Sequence, residues 1–264
     1  MTRSGGPTLD PARASAAFGG LAFVLASCVL GVRLLLLATR TRRLPEVCIG
    51  LAQLLMGGLA YPLIMTARLA VRLSAPVRIG VMAVSILFIG VGTLAVGIFN
   101  WQVFRPGARW ARGLVTAAAV SMLACVALQL AGPGLAAAAF DNRGLGFRLF
   151  QLHAGLLTAW GAYEALRAWW RLRRRQRLGL ADPVVCERVF LWGIASVAST
   201  IVGGTSTIAG FLGINFAATV FGAAVIAPLG LLAAASMWLA FLPPAAYLRR
   251  LRARALPAAA ESGA

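Results

Sequence analysis

The residues best suited to chemistry in this chain are few, and nearly all lie inside apolar stretches. One helical face would carry His153, Trp160, Glu164 and Arg167. Arg33 lies near the end of the first apolar stretch, while Glu187 and Arg188 open the sixth. A charge held in lipid is expensive, so such residues pair with one another or serve a function. Depth along the stretches groups Arg33, Gln53, Asn100, Gln102, Glu164, Arg167 and Glu187 into an inner polar cluster. The plainer reading is a clamp of ion pairs and hydrogen bonds, with the arginines also snorkelling to the interface. The sharper one is a gate or coupling site that rearranges during signalling or transport. Glu164 is expected to pair with Arg33 or with Arg167, the latter one turn away on its own helix.

A second set falls at similar depth towards the other end: Tyr61, Thr66, Gln129, Gln151, His153, Thr205, Thr207 and Asn215. These residues are a candidate outer pocket between helices, a common place for ligands. His153 is the only histidine. It is separated from Glu164 by about 16 Å of helix, so the two share no ligand atom. A lone histidine near a helix end reads first as a satisfied interfacial residue.

Redox, metal and catalytic chemistry find little support. Cys28, Cys48, Cys125 and Cys186 fall inside or at the edges of apolar stretches, and none has a partner at metal-ligand spacing. They read as reduced, buried, small hydrophobes. A single histidine excludes a two-histidine haem or metal site within the chain. No cofactor or metal is expected. The zinc-protease helix motif, nucleophile elbow, phosphate-binding loop and paired intramembrane aspartates are all missing from the sequence, so no enzymatic activity is expected.

The elements that must position these residues are seven apolar stretches: Phe18–Ala38, Val47–Ala67, Ile79–Phe104, Gly113–Ala131, Leu149–Trp170, Val184–Gly210 and Asn215–Leu242. Each suffices to cross a hydrocarbon core of ~30 Å, which needs about 20 helical residues. The 264 residues are 60% hydrophobic and only 12% charged, where a soluble domain carries about 25% charged residues. The expected fold is therefore an all-α integral membrane protein, a seven-helix bundle spanning 17–244. It is flanked by a polar tail over 1–16 and a short amphipathic, arginine-rich tail over 245–264.

All 25 basic residues are arginine. Retinal attaches through a lysine, so a rhodopsin-like chromophore is excluded. The net charge of +18 is distributed between the apolar stretches, where it orients helices and meets anionic lipid head groups, and it implies no nucleic-acid partner. Sixteen arginines, including Arg40, Arg105, Arg171 and Arg249, flank one set of helix ends, against seven on the other. The rule that positive loops stay inside puts the N-terminus outside and the C-terminus in the cytoplasm, across the cell's inner membrane.

Local signals refine the picture. Leu25-Ala26-Ser27-Cys28 matches a lipoprotein processing box, but the chain stays apolar after Cys28, which favours an uncleaved first helix. Pro45 and Asp182-Pro183 mark helix starts. Pro62 and Pro228 should kink their helices, with neighbouring helices satisfying the freed carbonyls. Small residues form a seam along the sixth stretch (Trp192, Ser196, Ser199, Gly203, Ser206, Gly210) and along the third (Gly90, Thr93, Gly97, Asn100). Such seams permit close helix packing or line a cavity. Ala245–Leu256 suits a short helix on the inner leaflet.

In helix count and topology alone, the layout resembles seven-helix receptors and the membrane sensor modules that bacteria fuse to kinases and cyclases. No motif carries that likeness. The expected function is a sensor or receptor-like module acting through a separate partner at the cytoplasmic face. A small-solute transporter or channel and a ligand-free membrane scaffold are the alternatives.

Overall fold

The computed structural model describes residues 11–69, 73–131, 144–214, 216, 219–251 and 253. Its long elements are α1 (Pro11–Thr41), α2 (Leu44–Ala52), a π-helical segment (Gln53–Ala60), α3 (Tyr61–Leu69), α4 (Ala75–Phe104), α5 (Arg109–Ala131), α6 (Leu145–Arg177), α7 (Pro183–Phe211) and α8 (Val220–Phe241). No strand occurs among the described residues. Residues 245–251 are also helical.

Six helical segments are long and apolar enough to cross a membrane, as expected of a multi-pass membrane protein. The predicted fifth stretch lies in α6, which is not among the six. The physical reason is composition: within its predicted span α6 carries Gln151, His153, Glu164 and Arg167, preceded by Arg148. At 33 residues it extends about 50 Å, well beyond a hydrocarbon core.

Packing closes a ring in the order α1, α2 through α3, α4, α6, α7, α8 and back to α1. Helix α5 stands outside this ring against α4 and α6. Side-chain placement is inverted relative to a water-soluble bundle. Leu123 and Phe221 are each 71% exposed, whereas the buried positions are dominated by alanine and other small residues. Without a hydrophobic drive between helices in lipid, small residues provide close contact and large ones face the acyl chains.

Helix ends follow local chemistry. Asp182 accepts from the Val184 N–H at 2.8 Å as the N-cap of α7, with Pro183 behind it. Pro45 lies in the first turn of α2. The turn from α4 to α5 needs a left-handed residue, supplied by Gly107 at φ +78°.

The α2–α3 rod shows why Pro62 is tolerated. Proline has no N–H for the carbonyl one turn back. The backbone before it switches to π winding, and the Gly58 carbonyl accepts a weak hydrogen bond from the Cys28 thiol at 3.7 Å. Helix α1 comes so close here that a Cβ on Gly57 would lie 2.2 Å from Ser27 Oγ. Cys28 thus sits within a continuous helix. All four cysteines are free thiols, with Cys48, Cys125 and Cys186 buried and Cys28 partly so.

Candidate functional site

Two adjoining, partly open cavities lie between the helices of the ring. The larger, of about 330 Å³, lies between α1, the π segment, α3, α4, α7 and α8. Tyr61, Ile89, Val202, Gly203 and Gly230 contribute to its wall. The smaller, of about 110 Å³, is lined by Ser27, Gln53, Thr158, Trp192 and Ser196 among others. Phe23, Met56, Ser199 and Ala233 belong to both walls. No charged side chain lines either cavity. The seam on α7 is thus divided: Trp192, Ser196, Ser199 and Gly203 face the cavities. A Cβ added at Gly203 or Gly210 would meet nothing within 4 Å, so close helix approach does not explain those two glycines. The α4 seam does pack. A Cβ on Gly90 would touch Phe150 at 3.4 Å, and one on Gly97 would touch Leu157 at 3.5 Å, both on α6.

Trp192, in the wall of the smaller cavity, packs its ring against Phe99 and Phe241, with ring centres 4.9 and 6.0 Å apart. Trp192 is 6% exposed, and its Nε1 finds no hydrogen-bond partner among the described residues. Leaving such a donor unpaired in an apolar interior costs about 1–3 kcal/mol. The hydroxyls of Ser199 and Thr158 donate to carbonyls of their own helices, at 2.9 Å to Ala195 and 2.8 Å to Ala154. Their oxygens keep acceptor capacity.

The inner polar cluster resolves into separate sites. Glu164 is 1% exposed, and its partner is Arg105, whose Nε donates to Oε1 at 2.8 Å. This corrects the expectation of Arg33 or Arg167. Both of those side chains are exposed. Arg33 lines a groove with Arg40, Phe241 and Leu242, and Arg167 lines another with Tyr163, Trp170 and Arg174. Trp160 Nε1 also donates to Glu164 Oε1, at 3.4 Å. The Arg105 guanidinium lies 5.7 Å from the Trp110 ring, which in turn is 5.8 Å from the Trp160 ring. The α4–α5 turn is thereby fastened to α6. The hydrogen bond to Glu164 raises the Arg105 pKa above its already high ordinary value.

Asn100 is fully buried, and its Nδ2 donates to the Leu157 carbonyl at 3.3 Å. It occupies space left by Gly161, where a Cβ would be 2.5 Å from Nδ2. Asn100 Oδ1 and Glu164 Oε2 are buried without hydrogen-bond partners among the described residues. Gln53 lines the smaller cavity, away from the Glu164 pair. Glu187 accepts a hydrogen bond from Tyr247 Oη at 2.8 Å, tying the C-terminal helical segment to α7.

Of the outer set, Tyr61 lines the larger cavity, where its ring stacks edge-on with Phe23 at 6.2 Å. Thr205 and Thr207 donate to their own helix at Ile201 and Gly203, 2.7 and 2.8 Å away. His153 Nδ1 lies 2.6 Å from the Leu149 carbonyl, one turn back on α6. Gln151 is half-buried on the same helix. The Gln129 side chain and Asn215 lie outside the described residues. No group of three or more metal-ligating side chains occurs among the described residues.

No protein-family model, no curated protein and no solved structure matches this chain.

Proposed function

We propose that the chain is a non-catalytic, receptor-like module of the plasma membrane, with seven crossings, the N-terminus outside and the C-terminus in the cytoplasm. In this reading α6 is the seventh crossing. Glu164 turns into the bundle, and the arginine-rich end of the helix projects into the cytoplasm beside anionic lipid and a separate signalling partner. The observation that carries the reading is the pair of partly open cavities between the helices. Ligand sites between helices of a bundle have this form, an apolar enclosure with a few placed polar groups.

Two of the walls are also poised for change. The π segment and the Pro228 turn of α8 both interrupt regular α-helical bonding, and π segments often accompany functional sites. A transporter would favour a polar path from the cavities to the inner end. Neither cavity wall includes Glu164 or Arg33, which supports the receptor reading over that one.

Photoreactive residues at Arg171 and Arg249, in the native host membrane, test the proposal. The expected result is a protein adduct whose yield changes severalfold when Gly203→Leu fills the larger cavity. An adduct indifferent to Gly203→Leu would indicate a scaffold. No adduct at either position would remove the signalling partner from the account.

A further inference from the structure

The inner end of α6 carries an open groove of about 600 Å³, separate from the two cavities. Tyr163, Leu166, Arg167, Trp170, Arg171 and Arg174 line it. Steps of three and four residues put them on one face of the helix, over about 16 Å of rise. The bundle leaves this face uncovered: Tyr163 and Trp170 are 59% and 58% exposed, and all three arginines are exposed. Among the described residues, none of the three pairs with a carboxylate. Glu164, the nearest acid in sequence, is engaged by Arg105.

Depth gives the occupant its form. Glu164 meets the turn that ends α4, so Tyr163 stands where the apolar crossing of α4 stops. From there the groove runs inward along α6, with Tyr163 and Leu166 at its apolar end and the arginines beyond. Tryptophan favours the membrane–water interface, and Trp170 stands among those arginines. The Arg174 guanidinium folds back over the Trp170 ring, 5.7 Å from its centre, which draws the charge towards the bilayer.

We propose that this groove is a site for one anionic phospholipid of the inner leaflet. Its phosphodiester lies among Arg167, Arg171 and Arg174, its glycerol backbone against Trp170, and an acyl chain along Leu166 and Tyr163. Guanidinium forks match phosphate oxygens in pairs. Three cations without a carboxylate also repel the ammonium of a zwitterionic head group. A soluble phosphate compound or an acidic peptide would leave the apolar end of the groove unused. The site rests on the reading in which α6 crosses the membrane with its arginine-rich end inside.

The test uses the full chain in phosphatidylcholine nanodiscs. Two probes carry the same diazirine acyl chain, one on phosphatidylglycerol and one on phosphatidylcholine, and labelled peptides are mapped by mass spectrometry. The phosphatidylglycerol probe should label the Tyr163–Trp170 stretch roughly fivefold or more above the other. Glycerol phosphate, the soluble head group, should not compete. Arg167→Gln, Arg171→Gln and Arg174→Gln together should bring the ratio of the two probes close to one. Arg43→Gln, Arg109→Gln and Arg112→Gln together remove as many charges from exposed arginines outside the groove, and should leave the ratio within about twofold of the parent chain.

Equal labelling by the two probes on the parent chain would overturn the site, and this comparison depends on no variant. Competition by glycerol phosphate would make the occupant a soluble phosphate compound instead. An equal loss in both triple variants would reduce the effect to the general field of the arginines and overturn a specific groove. A reporter fusion near Asn142 separates the two readings. Equal labelling with that fusion outside would remove the lipid site and leave the crossing, whereas a fusion on the side of Arg177 would remove the crossing itself.

Discussion

Arg105 and Glu164 stand 59 residues apart in sequence and meet at 2.8 Å, joining the turn after α4 to the middle of α6. The carboxylate is almost completely buried, whereas the arginine side chain keeps 27% of its exposure. Removing one partner of a buried pair costs about 3–5 kcal/mol because the other charge is stranded. The hydrated side of Arg105 should bring the value below that range. Arg105→Ala and Glu164→Ala are both expected to lower the melting temperature in detergent, and the double variant to recover part of the loss. Arg33→Ala, in its separate groove, should not couple to Glu164→Ala. A double-mutant cycle by thermal melting checks both statements.

The contact between α1 and the π segment leaves no room for a side chain at Gly57. Gly57→Ala would place a methyl 2.2 Å from Ser27 Oγ. Overpacking of this kind costs about 1–3 kcal/mol. Adding Ser27→Gly should restore part of it, whereas Ser27→Gly with Gly57 intact should only destabilise. Thermal melts of the three variants decide the matter.

The phenol of Tyr247 holds the C-terminal segment onto α7 through Glu187. Tyr247→Phe removes one hydrogen bond, worth about 1 kcal/mol. The bundle should keep its melting temperature, while Arg249 and Arg250 become more accessible. Trypsin cleavage after these arginines is expected to accelerate severalfold in the variant. Unchanged cleavage would mean that the segment is held by other contacts.

Topology is tested directly by reporter fusions. Fusions after Arg43, Arg112, Arg177 and Ala264 should report cytoplasm, and those near Ser74, Asn142 and Gly213 the outside. The decisive pair is Asn142 and Arg177, on either side of α6. If α6 does not cross, a fusion near Asn142 will report the same side as Arg177.

Much of the fold is legible in the sequence because lipid imposes a simple rule of length and apolarity. The first six predicted stretches fall within long helical rods, the fifth in the more polar α6, the seventh is helical from Val220 to Phe241, and Asp182 caps α7 as its position before Pro183 indicates. The carbonyl freed by Pro62, that of Gly58, is met by a neighbouring helix as expected, through the Cys28 thiol. The partner of Glu164 was hidden for a physical reason. Sequence spacing gives depth along a helix, but not which helices stand side by side. Arg105 reads as one of many loop arginines. Its signal was the short Arg105-Pro106-Gly107-Ala108 turn, which returns the chain at the depth of Glu164. The outer set shared depth only, and Thr205, Thr207 and His153 each bond within their own helix. The cavity, by contrast, was foreshadowed by the small-residue seam from Trp192 to Gly203.

The π winding of Gln53–Ala60 gives α2–α3 a change of pitch partway along a single rod. Each hydrogen bond there spans five residues rather than the four of an α turn. Rewinding any part of it into α geometry would rotate everything beyond it about the rod's own axis. Tyr61 is the first residue past that point, and its hydroxyl lies where a Cβ on Gly20 would be 2.9 Å away. A change in winding would therefore turn the phenol relative to the larger cavity, whose wall it forms part of, and relative to α1.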